Sequence, residues 1–209
     1  MGQSGSFGRF THCMKIGFFA SHRGSNMQAV IEACAKGRLS ASPAVLICNN
    51  RDAEAVGRAQ KSGIPAYVLN ASGYPNPDDL DLAMLNALKT HAADIVVLAG
   101  FMKKIGPRVL AAYAGRIVNI HPALLPKYGG KGMYGAHFHS AVLAAGEKMT
   151  GVSVHLVDEE YDHGRVLAQA EIPVVQGDTV DSLAARVLNL EHTVLISTLQ
   201  RICSGELAL

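Results

Sequence analysis

The amino-acid sequence predicts an α/β fold: an open, twisted, mostly parallel sheet with helices on both faces and an antiparallel edge at its C-terminal end. Three observations carry this expectation. Short apolar runs rich in Val, Ile and Leu alternate with stretches of helical periodicity as far as residue 121, the pattern of parallel strands joined by right-handed crossovers. The last two strand-like runs are separated by a single charged turn, so they form a hairpin and not a crossover. A long helical stretch then closes the chain. No internal repeat, low-complexity tract or interdomain linker interrupts the 209 residues, a length that suits one domain or two small ones.

Residues 15–20 (K-I-G-F-F-A) read as the first buried strand, and the turn S-H-R-G-S-N leads into helical periodicity from Met27. A strand, a polar glycine turn and a helix make an anion site, because free N–H groups and the helix dipole both favour negative charge at the helix start. Arg23, Gly24, Ser25 and Asn26 supply the donors. The same residues also suit a plain N-cap, with Ser25 or Asn26 closing the first turn. The turn is neither G-x-G-x-x-G nor a Walker loop, so dinucleotide and nucleoside-triphosphate chemistry are not supported. Residues 43–49 form the second strand, 52–63 a helix ending at Gly63, and 64–69 the third strand. The run N-A-S-G-Y-P-N-P-D-D is a loop. A helix over 78–91 is capped by Pro77 and Asp78. Residues 94–99 make the fourth strand, Gly100 to Ile105 leave its carboxyl end, and a short helix runs from Pro107 to Gly115.

The fifth strand lies in R-I-V-N-I-H-P-A-L-L-P, residues 116–126. Asn119 and His121 are two apart, so in an extended segment they share a face. Asn offers a neutral amide donor and His a proton that moves near neutral pH. Two such donors on one point can hold a carbonyl oxygen as it gains negative charge. Spacing alone equally suits a strand end whose polar residues satisfy a turn. What favours chemistry is position: ligands bind open parallel sheets at the carboxyl ends of the strands. The Gly24 turn, the 100–105 segment and the Asn119/His121 pair all lie there.

Beyond Pro126, K-Y-G-G-K-G-M-Y-G is a glycine-rich loop whose glycines permit positive φ and close approach. The helix over 136–147 begins A-H-F-H. His137 and His139 have the spacing of a metal pair, but helix neighbours two apart point in different directions. With no carboxylate or thiol set beside them, no metal is expected. Residues 150–157 alternate apolar and polar, a strand with Ser153 and His155 on one side. D-E-E-Y-D-H-G follows, in which Asp162 is the acid nearest Gly164; such a charge run suits a solvated hairpin loop. Residues 165–175 form the last strand and 179–203 the closing helix, where an isolated Glu191 reads as surface.

Composition narrows the function classes. The chain has 19 Lys plus Arg against 17 Asp plus Glu, net +2, without a dense basic run, so no nucleic-acid surface is expected. Apolar residues make up 49% and charged residues 17%, which fits a compact enzyme and argues against disorder. Cys13, Cys34, Cys48 and Cys203 are scattered, as expected for reduced thiols in a cytoplasm. No apolar run reaches the ~18 residues of a membrane span, and the first dozen residues lack a signal-peptide core. Met1, Gly2 and Ser6 formally match a myristoylation motif. The stretch M-G-Q-S-G-S-F-G reads better as a leader over 1–13, ahead of a single domain over 14–209 that opens at Met14.

Taken together, S-x-x-G-S-N, L-A-G-F-M, N-I-H-P-A-L-L-P, G-V-S-V-H and D-H-G resemble the glycinamide ribonucleotide formyltransferases, folate-dependent transferases of purine biosynthesis. The resemblance runs from about Met14 to the final helix. It implies the formyltransferase fold, a Rossmann-like form of the sheet described above. It also implies transfer of a formyl group from the co-substrate 10-formyltetrahydrofolate to the amine of glycinamide ribonucleotide, by a monomer or homodimer without a metal. Asn119, His121 and Asp162 match the catalytic trio. Gly24, Ser25 and Asn26 match the phosphate loop, with Arg23 either strengthening it or facing solvent. Met102, Lys103, Lys104 and Ile105 match a folate-side segment. Residues 155–162, with Val157, Asp158, Glu159 and Glu160, match the wall around the pterin, and Glu191 matches a contact to the glycinamide substrate.

The implied chemistry is attack of the amine on the formyl carbon, with Asn119 and protonated His121 stabilising the oxygen. Asp162 favours the imidazolium or relays the amine proton to the folate nitrogen. The chain departs from the family pattern in three places. His22 and Arg23 stand where glycine and asparagine are common. The loop after the third strand lacks a folate-side arginine, for which Lys103 or Lys104 are candidates. The loop over 129–135 is longer than usual. A formyltransferase acting on another amine, such as an amino sugar nucleotide, is the alternative. A catalytically silent folate- or nucleotide-binding protein is a third reading, against which the intact trio argues.

Overall fold

The computed structural model describes residues 13–130 and 136–209. All but Cys13 of the expected leader, and positions 131–135 of the glycine-rich loop, lie outside the described residues. Seven strands, β1 (Met14–Ala20), β2 (Ala41–Cys48), β3 (Ala66–Val68), β4 (Ile95–Leu98), β5 (Ile117–His121), β6 (Met149–Leu156) and β7 (Val166–Pro173), form one sheet in the order β3-β2-β1-β4-β5-β6-β7. The first five are parallel; β6 runs antiparallel to β5, and β7 antiparallel to β6. The helices among the described residues are α1 (Ser25–Ala35), α2 (Glu54–Lys61), α3 (Pro77–Thr90), α4 (Pro107–Ala112), α5 (Ala136–Ala144) and α6 (Val180–Cys203). No helix among the described residues is long and apolar enough to cross a membrane.

The period-two alternation of the strands creates two cores. Ile16, Phe18, Ile95, Val97, Val118 and Ile120 face α1 and α6 on one side. Phe19, Val96, Leu98 and Ile117 face α3 and α4 on the other. Both faces of the parallel strands are therefore covered, which is why they read as continuous apolar runs.

The strand order reverses between β1 and β4, since the chain winds outward through β2 and β3 and then returns to start β4 on the other side. A crevice opens at the carboxyl ends of such a pair. It is tied across its floor: Ser21 N–H donates to the Gly100 carbonyl at 3.1 Å, and Met102 N–H donates to Ser21 Oγ at 2.8 Å. The turn after β1 and the segment after β4 are thereby held as one unit.

Several element ends differ from the sequence expectation for local reasons. Helix α1 begins at Ser25, two residues early, because Gly24 is its N-cap. Helix α3 is capped by Asn76, whose side chain accepts from Asp78 N–H at 3.0 Å, with Pro77 as its first residue. Strand β3 is three residues long; Pro65, before it, has no N–H for a ladder. Helix α5 ends at Ala144 and not at Glu147.

Candidate active site

The sixteen residues singled out from the sequence line one cleft of about 660 Å³ at the carboxyl ends of the strands. Its β1–α1 end is set by Gly24, which sits at φ 64 and would place a Cβ 2.7 Å from Ala55 Cβ. Only glycine combines that backbone with that approach. No side chain caps the first turn of α1, so its leading N–H groups stay unclaimed by side chains. This corrects the N-cap reading of Ser25 and Asn26: both are inside the helix. Asn26 instead donates from Nδ2 to Glu191 Oε2 at 2.5 Å, and its Oδ1 is buried with no partner among the described residues. Arg23 is exposed, and its carbonyl accepts from Arg58 Nε at 2.9 Å.

Glu191 is not surface. It is 9% exposed on α6, and burial pushes its carboxyl up to about 7, against the lowering effect of the Asn26 hydrogen bond. The long closing helix has an inward face that reaches the cleft, and a Glu on it reads as exposed only if that face is unknown.

At the other end, β5 and β6 face each other residue by residue. Asn119 lies opposite His155, and His121 opposite Ser153. Asn119 Nδ2 and His155 Nε2 are 3.0 Å apart. His121 is 5% exposed. Its Nε2–H donates to the Tyr128 carbonyl at 2.9 Å, and its Nδ1 lies 3.7 Å from Asp162 Oδ1. The same Asp162 oxygen is 3.5 Å from His155 Nε2, while Oδ2 accepts from Gly130 N–H at 2.9 Å. Burial pushes the Asp162 carboxyl up, but the neighbouring His155 and His121 rings and the Gly130 N–H outweigh it and hold the group below its ordinary range. Asp162 is thus a carboxylate near neutral pH, facing two imidazoles.

The expected pairing of Asn119 and His121 is therefore only half of the arrangement. The two share a face, as the period-two spacing requires. Both ring nitrogens of His121, however, face protein groups: Tyr128 on one side and Asp162 on the other. Tyr128 is anchored by its hydroxyl, which donates to Glu147 Oε1 at 2.8 Å. Tyr128 (φ 58) and Asp162 (φ 57) are two of the three non-glycine residues at positive φ among the described residues. Strain of this kind persists where surrounding contacts over-determine it, and here it sits on both sides of His121.

The acidic turn divides. Asp158, Glu159 and Glu160 are exposed on the rim, as a solvated run would be, while Asp162 turns inward. Met102, Lys103 and Lys104 are also exposed on the rim, and Ile105 is buried in the second core. His137 is exposed and His139 buried, so the pair does not converge. His139 lines the cleft, and burial lowers it to about 4. No group of three His, Cys, Asp or Glu among the described residues is placed to hold a metal ion.

Two features escaped the sequence. The resemblance places His155 only at the pterin wall, whereas its Nε2 lies 3.0 Å from Asn119 Nδ2 and 3.5 Å from Asp162 Oδ1. Ser153 donates to the Ala123 carbonyl at 2.6 Å and accepts from Leu125 N–H at 3.0 Å, fixing the loop that follows His121. The available signal was the antiparallel β5–β6 register, which sets S-x-H on β6 against N-x-H on β5.

The formyl transferase family model matches residues 14–199. The chain is 38% identical over 194 residues to the phosphoribosylglycinamide formyltransferase of Escherichia coli, covering 93% of this chain and 89% of that one. It is 38% identical over 190 residues to the chloroplastic phosphoribosylglycinamide formyltransferase of Arabidopsis thaliana, covering 90% of this chain but 65% of the plant protein. The glycinamide ribonucleotide transformylase 1 structure from Geobacillus kaustophilus superposes with a TM-score of 0.85 at 38% identity, covering 92% of this chain and 100% of that one.

Proposed function

This chain belongs to the formyl transferase family, and on that premise we propose that it transfers a formyl group from 10-formyltetrahydrofolate to the amine of glycinamide ribonucleotide, a step of purine synthesis in the cytoplasm. The domain that does so spans 14–209. The observation that carries the reading is the single cleft that gathers the β1–α1 turn, the 102–105 segment, Glu191 and the Asn119/His121/Asp162 trio. Its two ends suit the two chemically different parts of such a reaction.

In this reading the ribonucleotide phosphate takes the unclaimed N–H groups at the start of α1, with Ser25 and Arg23 beside them. Glu191 and Asn26 meet the body of the same substrate. The folate lies between the 102–105 segment and the wall at 157–160. The exposed Lys103 and Lys104 meet its glutamate carboxylates, in place of the missing loop arginine. The amine nitrogen forms a bond to the formyl carbon, and electron density moves onto the formyl oxygen. Asn119 retains a second Nδ2–H for that oxygen beyond the one directed at His155. His121, charged beside Asp162, stabilises it electrostatically, because its Nε2–H already rests on Tyr128. The bond from the formyl carbon to the folate nitrogen then breaks, and the amine proton passes to that nitrogen through Asp162 or a water bonded to it.

The test is an acceptor comparison with the purified protein and 10-formyltetrahydrofolate, following absorbance of the folate product. Turnover is expected with glycinamide ribonucleotide and not with an amino sugar nucleotide. Turnover with the sugar nucleotide alone would make the chain a formyltransferase of another amine.

A further inference from the structure

The trio leaves one buried polar side chain at its centre unexplained. His155 is 1% exposed and stands directly opposite Asn119 in the β5–β6 ladder, where facing side chains meet on one side of the sheet. Its Nδ1 lies 2.8 Å from the Leu156 carbonyl. A carbonyl only accepts, so Nδ1 carries the hydrogen and the ring presents Nε2 to the site. That one nitrogen is 3.0 Å from Asn119 Nδ2 and 3.5 Å from Asp162 Oδ1.

A second observation is independent of the ring. The β6–β7 register shifts between Val154 and His155, so that Val154 faces Ala168 while His155 faces Val166. Irregularities of this kind re-aim a side chain beside a site, and this one falls on the residue whose ring meets the Asn119 amide.

We infer that His155 is a positioning residue of this site, holding the Asn119 amide in one fixed orientation. The inference rests on the formyl-transfer reading and adds a fourth residue to it. With its hydrogen on Nδ1, the ring offers Nε2 as the acceptor of one Asn119 N–H. That settles which end of the amide is the amino end, a choice that its broad, roughly two-fold torsion leaves open. The second N–H of the same nitrogen is then reserved for the reacting carbonyl. A histidine that merely filled space would be equally buried but would leave the Asn119 amide unaffected.

The experiment is a double-mutant cycle with a spectroscopic arm. His155→Ala is expected to lower kcat about 100-fold while KM for both substrates stays within about threefold. On an Asn119→Ala background the same change is expected to cost less than about tenfold, because no amide remains to be oriented. His155→Gln, whose side-chain oxygen can take the Asn119 N–H, is expected to recover part of the loss. The spectroscopic arm uses the ligand-free protein and needs no turnover. There the Asn119 side-chain amide, identified by its disappearance in Asn119→Ala, is expected to give two well-separated proton signals that move toward the free-amide position in His155→Ala. Losses that multiply across the cycle, or an Asn119 amide unmoved in His155→Ala, overturn the role. A wild-type protein without turnover defeats the formyl-transfer reading, and the amide signals still decide the fate of His155.

Discussion

The two ends of the cleft satisfy their polar groups differently. At the β1–α1 end, no side chain caps α1, Asn26 Oδ1 is buried without a partner among the described residues, and Glu191 is a buried carboxyl beside Asn26. At the hairpin end, His121 meets Tyr128 and Asp162, His155 meets Leu156 and Asn119, and Asp162 also takes the Gly130 N–H. A buried unsatisfied polar group costs about 1–3 kcal/mol, so the first end gains when a ligand supplies the missing partners. The trio and His155 at the second end gain nothing of that kind. These groups are held in place before any ligand arrives, which is what stabilising a transient charge requires. The comparison teaches that binding and reaction are separable along this cleft, and substitutions at the two ends are expected to separate KM from kcat.

The largest effect is expected at the reacting end. Asp162→Asn removes the one negative charge that both imidazoles face, and kcat is expected to fall by about 1,000-fold with KM for the ribonucleotide nearly unchanged. Steady-state kinetics in both substrates checks this, and a rise in KM without loss of kcat would erase the distinction between the ends. At the binding end, Gly24→Ala must hold a Cβ at φ 64 against Ala55. The expected cost is on the order of 1–3 kcal/mol in thermal unfolding, together with about tenfold weaker binding of the ribonucleotide by calorimetry. Loss of stability without loss of affinity would move the phosphate away from this turn.

The glycine turn at the binding end was the more legible part of the site in the sequence, and for a physical reason. Its parts are local: a strand, a glycine turn and a helix lie within about twenty residues, and the backbone itself is the ligand-facing group. The alternation that exposed this turn likewise revealed the parallel sheet, the closing helix and the hairpin edge. At the reacting end the spacing of Asn119 and His121 was visible, but their partners were not. His155 and Asp162 reach them only through the β5–β6 register and the turn after β6. Tyr128 acts through its backbone carbonyl, which no side-chain pattern announces. Glu191 was missed as a buried group because a single acid in a long helix carries no mark of which face it occupies.

Smaller effects follow from Glu191 and His139, two of the buried titratable groups in the cleft, and they have opposite signs. Glu191 has its folded value raised from 4.5 to about 7, so the folded state binds the extra proton. Its contribution to stability is fully present below 4.5 and is lost as pH rises through about 7, by up to about 1.4 kcal/mol per pH unit. Glu191→Gln is expected to flatten that fall in urea-unfolding curves measured across the window; an unchanged slope would mean that the carboxyl is already ionised. His139 is depressed from 6.5 to about 4, so its contribution is present above 6.5 and lost as pH falls toward 4. His139→Asn is expected to remove that acid loss with little effect at pH 8, and the same unfolding series reads it.

The most direct measurement of the division along the cleft is the kcat and KM of His121→Ala with glycinamide ribonucleotide and 10-formyltetrahydrofolate. A fall in kcat of about 100–1,000-fold, with both KM values within a few-fold of wild type, is the predicted result. A variant that keeps its kcat and loses affinity for either substrate would contradict the account, because it would make His121 a binding group and move the reaction elsewhere.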